Sequence, residues 1–142
     1  MTGTLAAAEE SWKENLSVIR INATGVDDSV HTIFWSGTYR AMLSPQDYTG
    51  GTPLWESDEP YCDSYHGTRD SFRSIHLFIT LDDPHSQTQR IRSLIEIYRH
   101  EGWLPACRMS LCKGFTQGGS NADVVFADSF LKNITLHVDW AA

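Results

Sequence analysis

The chain has 142 residues, enough for one domain, or a piece of one, with a real core. Its net charge of -7 leaves no basic patch and argues against nucleic acid as a partner. No apolar run approaches membrane-spanning length, and no repeat or low-complexity tract is present.

Leu5, Ala8, Trp12, Leu16 and Ile19 recur at three- and four-residue steps and predict one face of an amphipathic helix capped by Thr4. Asn22 to Gly25 reads as a turn. Asp27 or Asp28 caps a second helix with Val30, Ile33, Phe34, Gly37 and Ala41 inward, and Pro45 ends it. Residues 46–62 are rich in Gly, Pro, Asp and Thr. They read as a long loop with Tyr48, Trp55 and Tyr61 as anchors and room for a short hairpin. A third helix covers about 68–80, with Phe72, Ile75 and Ile79 inward. Asp83-Pro84 is a strong start signal, an N-cap followed by proline in the first turn. The fourth helix turns Ile91, Leu94, Ile95 and Tyr98 inward and stops at Gly102.

The stretch from Pro105 to Asp128 begins with neither a helical nor a strand period and holds Cys107, Cys112 and the Gly118-Gly119 pair. Long loops inside domains tend to carry function. This one reads as a pocket-lining loop at the mouth of a helical bundle. A fifth helix follows over about 121–132, with Val124, Val125, Ala127 and Leu131 inward. The only competing strand pattern is Ser17 to Asn22. Five helices with alternating short and long connections predict an all-α fold of antiparallel helical hairpins, with long loops at one end.

Catalytic signatures are sparse. Neither G-x-S-x-G nor G-x-x-x-x-G-K occurs. Three cysteines form no disulfide framework, though Cys107 and Cys112 are spaced to pair, leaving Cys62. The six histidines are scattered, and no metal-ligand spacing stands out. Asp70 and Arg73 share a helix face at i, i+3, where a solvated ion pair is the plain expectation. Asp123 and Asp128 flank the start of the fifth helix. Two carboxylates spanning a sugar suit glycoside hydrolysis, and Trp and Tyr faces stack on sugars as well as filling cores. N-glycosylation sequons start at Asn15, Asn22 and Asn133; they matter only in an exported protein. The first twelve residues lack the charged and apolar regions of a signal peptide.

Longer runs add to this reading. D-S-Y-H-G-T-R-D-S-F-R-S-I-H, L-D-D-P, I-R-S-L-I-E-I-Y-R-H-E-G-W-L-P and C-R-M-S-L-C-K-G-F-T-Q-G-G-S-N-A-D-V-V-F-A-D-S-F-L-K resemble glycoside hydrolase family 92 in its fungal form. W-K-E-N-L and F-W-S-G-T-Y-R-A-M-L-S-P resemble it too, so the likeness covers about 8–134. It implies an exo-acting, inverting, calcium-dependent α-mannosidase, mostly α-1,2, that acts on N-glycans of glycoproteins. It also implies an (α/α)6 toroid packed on an N-terminal β-sandwich. Asp70 corresponds to a mannose-binding aspartate, and Gly102 and Trp103 to the same pocket. Gln117, Asn121 and Asp123 join the substrate-binding set by their place in the loop.

Two departures stand out: Arg69 where the family has tryptophan, and Leu77 where it usually has proline. The general acid, the general base and most calcium ligands are expected beyond Ala142, so no catalytic or metal residue is assigned within the chain. The chain therefore resembles the first five or so helices of the toroid, a fragment that supplies part of the mannose-binding wall. Apolar helix faces without neighbours favour association. Two alternatives are a non-catalytic remnant that binds mannose weakly and a helical interaction domain.

Overall fold

The computed structural model describes residues 2–52, 54–65, 67–109, 121–134 and 137–141. The chain divides into two compact units, Met1–Met42 and Leu43–Ala142. The described residues are predominantly α-helical, as expected for part of an all-α toroid of helical hairpins.

In the first unit, α1 spans Thr2–Leu16 and α2 spans Asp28–Ala41. Consecutive alanines favour α1, which starts before Thr4, so Thr4 lies inside the helix rather than capping it. The helix closes as Ser17 Oγ donates to the Glu14 carbonyl at 2.7 Å. Residues 19–22 form coil, not a strand. Gly25, at φ +78°, makes the reversal that a side chain would strain. Asp27 is the N-cap of α2, its Oδ1 accepting the Ser29 N–H at 2.8 Å. Bonds from the Ser29 hydroxyl and backbone N–H hold that carboxyl below its usual range.

The inward face of α2 differs from expectation. Val30, Ile33 and Phe34 are exposed, Ile33 at 70%. Trp12 of α1 instead meets Tyr39 edge-on at 4.5 Å, and Trp35 lines the same groove. The helix carries apolar residues on two faces, and α1 takes the Trp35–Tyr39 face because the large rings bury more area there.

In the second unit, β1 (Gln46–Asp47) pairs antiparallel with β2 (Cys62–Asp63), in the register Gln46 to Asp63 and Asp47 to Cys62. This is the short hairpin expected in the loop. Thr49 ties its ends, with Oγ1 accepting the Tyr61 N–H at 3.1 Å. Next come α3 (Thr68–Ser71), a π-helical turn (Phe72–His76) and α4 (Leu77–Asp82), end to end. Asp83 then caps α5 (Pro84–Glu101), its Oδ1 accepting the Ser86 N–H at 3.0 Å with Pro84 in the first turn. Gly102 ends α5 at φ +78°, a left-handed cap whose N–H reaches the Tyr98 carbonyl at 2.7 Å. The last helix is α6 (Ala122–Leu131).

The core gathers on α5. Leu94 and Ile97 pack with Tyr61, Cys62 and Tyr65. Ile91 and Ile95 pack with Val125 of α6, and Phe72 and Trp140 lean on that group. Tyr98, expected inward, is exposed, and Ile97 takes the core position. In α6 only Val125 of the expected inward set is buried. Val124, Ala127 and Leu131 face out, Leu131 at 82% exposure, while Ala122, Val125 and Ser129 face in. A short helix with apolar residues on several sides has no sharp periodic stripe, so its rotation is set by the neighbour it meets.

Candidate functional site

The segments around Asp70 and Trp103 lie far apart in sequence and are stitched together. Arg108 donates its backbone N–H to the Tyr65 carbonyl at 3.0 Å, forming an antiparallel bridge. Three residues beyond Tyr65, Thr68 gives both its N–H (2.9 Å) and its hydroxyl (2.6 Å) to the carbonyl of Ala106, two residues before Arg108. Thr68 is fully buried and is the first residue of α3. This pair of hydrogen bonds anchors the start of the helix that carries Asp70 to the loop that carries Gly102 and Trp103.

Asp70 is solvent-exposed in the first turn of α3, where a carboxylate is favoured by the helix dipole. Its N–H reaches the Gly67 carbonyl at 2.9 Å. The π-helical turn starts two residues later. Such turns insert one extra residue per turn and often mark functional sites. Here the turn rotates His76 into the core, where Nδ1 lies 3.2 Å from Gln87 Oε1 and Gln87 Nε2 donates to Ser129 Oγ at 3.3 Å. Burial, chiefly, and the Arg90 charge drop the His76 pKa to about 4 against the raising bond from Gln87. The ring is therefore neutral near pH 7, and this polar strut joins the π turn to α5 and α6.

A second anchor lies behind the loop. Arg108 is fully buried; its Nη1 is 2.7 Å from Glu101 Oε1, and its Nε donates to Tyr61 Oη at 3.2 Å. The guanidinium also sits over the Tyr61 ring, 5.9 Å from its centroid. Glu101 and Arg108 thus clamp the two ends of the turn that presents Gly102, Trp103 and Leu104. Gly102 is exposed as the helix cap, and Trp103 is half-buried.

Asp123 is exposed in the first turn of α6, and Asn121 sits at its N-terminus, half-buried. The helix packs against α3 and the π turn. The elements carrying Asp70, Gly102, Trp103, Asn121 and Asp123 are thereby gathered in one unit. Gln117 and Cys112 lie outside the described residues. Asp63 is buried beneath the hairpin at 3% exposure, with Tyr61 Oη donating to its Oδ2 at 3.3 Å. Its carboxylate is part of the scaffold. Arg69, standing at the family's tryptophan position, is exposed. Leu77 gives its N–H to the Ser74 carbonyl, a bond that a proline could not make.

Among the described residues, nothing supports a nucleophilic role for Cys62 or Cys107. Cys62 and Cys107 are free and buried. Burial first, and the Asp47 charge next, push the Cys62 thiol up to about 11, the wrong direction for a nucleophile. Among the described residues, no group of three or more His, Cys, Asp and Glu is arranged to hold a metal ion. The described part of the chain does not fit a calcium centre.

A cleft of about 430 Å³ opens beside the hairpin loop, lined by Gly50, Thr52, Trp55, Glu56, Ser57 and Asp58. Trp55 is not a free platform: His100 stacks on one face at 4.6 Å, and Tyr61 meets the ring edge-on at 5.5 Å. Beneath it, burial raises the Glu96 pKa, but bonds from Ser57, His100 and Arg99 outweigh that and keep the carboxyl low. Of the three expected anchors, Trp55 and Tyr61 pack into the core cluster, whereas Tyr48 is 48% exposed. Sequence reading missed Thr68, Glu101, Arg108 and the His76 strut. A threonine or an arginine carries no periodic signal of what it will hold.

These elements define an all-α protein of the helical-hairpin kind, with its candidate site on loops pinned between helices. Residues 1–142 match the model of the glycosyl hydrolase family 92 catalytic domain, and the chain belongs to that family. It is also 47% identical over 133 residues to a protein of the fungus Arthroderma benhamiae described as an uncharacterized secreted glycosidase. The match covers 94% of this chain and 14% of that relative, so the chain spans about one seventh of the relative's length.

Proposed function

We propose that this chain forms part of the mannose-binding wall of a calcium-dependent, inverting exo-α-mannosidase that trims N-glycans of glycoproteins. Asp70 would accept sugar hydroxyls, and Gly102 and Trp103 would shape the same pocket. Gln117, Asn121 and Asp123 would complete it from the loop and the start of α6. The observation that carries this reading is the pair of hydrogen bonds from Thr68 to the Ala106 carbonyl, which joins the Asp70 helix to the Trp103 turn. Family membership supports glycosidase chemistry on glycans. The fungal relative's description as secreted supports passage through the secretory route. In an inverting enzyme one carboxylic acid protonates the leaving oxygen and one carboxylate activates water, about 6.5–9.5 Å apart. No residue of this chain is assigned either role. Its own residues bind and orient.

The test is a titration of the isotope-labelled chain with mannose, followed by NMR. Shifts at the Asp70 amide and the Trp103 indole are expected, and Asp70→Ala should abolish them. An unresponsive wild-type spectrum removes the reading. The chain by itself should release no mannose from an α-1,2-mannobiose; release would show a catalytic pair within it.

A second reading, a helical interaction domain, draws on the first unit. Leu5, Ala8, Trp12, Leu16, Trp35 and Tyr39 line an open, mainly apolar groove there. Association through it would appear as a concentration-dependent sedimentation coefficient that Trp12→Ser lowers.

A further inference from the structure

We propose that Asn22, in preference to Asn15 or Asn133, is an acceptor for an N-linked glycan. The proposal shares with the function above only the secretory route, and it is independent of mannose binding. An acceptor asparagine needs a sequon, an accessible amide and a backbone that folds the hydroxyl residue back toward that amide.

Asn22 meets all three conditions. Asn22-Ala23-Thr24 lies in the exposed connection between α1 and α2. The Asn22 Oδ1 accepts the Thr24 N–H at 3.0 Å, closing an Asx turn. That bond occupies Oδ1 and leaves Nδ2 as the outward end of an exposed side chain. A second turn follows, in which the Val26 N–H reaches the Ala23 carbonyl at 3.0 Å around Gly25. Apolar side chains are exposed on the same stretch of chain, Val18 at 63%, Val26 at 43% and Val30 at 54%. A bulky, hydrated glycan would shield them.

The other two sequons are presented differently. Asn15 lies in the last turn of α1, and its partner Ser17 spends its hydroxyl on the Glu14 carbonyl at 2.7 Å. Asn133 is held at φ +60° with its N–H on the Phe130 carbonyl at 3.0 Å. The central residue of that sequon, Ile134, is buried and bound to the Ser129 carbonyl.

The donor would be an oligosaccharide carried on a lipid diphosphate. Asn22 Nδ2 attacks C1 of the first sugar, and a C1–N bond forms. The C1–O bond to the diphosphate breaks, the lipid diphosphate leaves with the electron pair, and Nδ2 loses one proton. No redox partner is required.

The test expresses the full chain behind a cleavable secretion leader in a eukaryotic host, with a parallel translation in the presence of microsomes. The leader supplies export, so the result is separate from native compartment and from mannose binding. Expected is a mobility shift that an N-glycan amidase removes, converting Asn22 to a carboxylate in the peptide map. Asn22→Gln and Thr24→Ala should lose the shift, and Thr24→Ser should keep it. A bare Asn22 in both systems, or higher occupancy at Asn15 or Asn133, overturns the proposal.

Discussion

Thr68 donates twice to one carbonyl, that of Ala106, across 38 residues of chain. Both groups are buried, so neither bond is exchanged readily for water. A buried hydroxyl bond contributes on the order of 1 kcal/mol net, and the Ala106 carbonyl keeps the backbone bond when the hydroxyl is removed. Thr68→Val should therefore lower unfolding stability by about 1–2 kcal/mol in urea titrations. Thr68→Ser should restore most of it. If mannose binding follows the proposed site, Thr68→Val should weaken it more than an equally destabilising change elsewhere in the core.

The Glu101–Arg108 pair closes the turn between α5 and the bridge. Arg108 is fully buried and Glu101 nearly so, with 12% of its side chain exposed. Removing one partner leaves a buried charge, at a cost of about 3–5 kcal/mol. Arg108→Leu should be strongly destabilised. Adding Glu101→Leu should recover part of the loss, because the orphaned charge is gone. A double-mutant cycle by denaturant unfolding measures the coupling, and additive losses would refute the clamp.

His76 predicts a pH dependence of defined sign. Its folded pKa, about 4, lies below the ordinary value of 6.5. Below about pH 6.5 the unfolded chain takes up a proton that the folded chain refuses, so the unfolded state gains. The contribution is therefore intact above pH 6.5, falls as pH drops, and levels off below about 4. The depression corresponds to roughly 3 kcal/mol as an upper figure. The urea midpoint of the wild type should decline between pH 6.5 and 4. In His76→Asn that component should vanish.

The rotation of α6 makes a contrast. Val125→Ala should cost about 1–3 kcal/mol, since its side chain is 1% exposed in the cluster with Ile91 and Ile95. Leu131→Ala should change stability by less than about 0.5 kcal/mol, because that side chain is already in solvent. Similar losses from both would mean that Leu131 is covered in solution.

Much of the fold was legible in the residues. Asp27 and Asp83-Pro84 start their helices and Gly102 ends one, because caps are local: the donors and acceptors lie within one turn of the residue itself. Ile91, Leu94 and Ile95 are buried as their spacing required. The misplaced faces, Val30, Ile33 and Phe34 of α2 and Val124, Ala127 and Leu131 of α6, share one cause. Each helix has apolar residues on more than one side, and periodicity cannot choose among them. Likewise Asp70, Gly102 and Trp103 were marked from resemblance, while the Thr68–Ala106 contact that joins the segments carrying them was not visible.

By itself, then, the sequence determined the helical class, the helix boundaries set by caps, and membership in the glycoside hydrolase family. These rest on short-range chemistry or on long ordered runs of residues. Only the tertiary structure decided which faces pack, that Arg108 and His76 are buried, and that Thr68 meets Ala106. Those outcomes depend on which surfaces, distant in sequence, exclude water together. A buried hydrogen bond spanning 38 residues has no local signature, because its partner is chosen by packing.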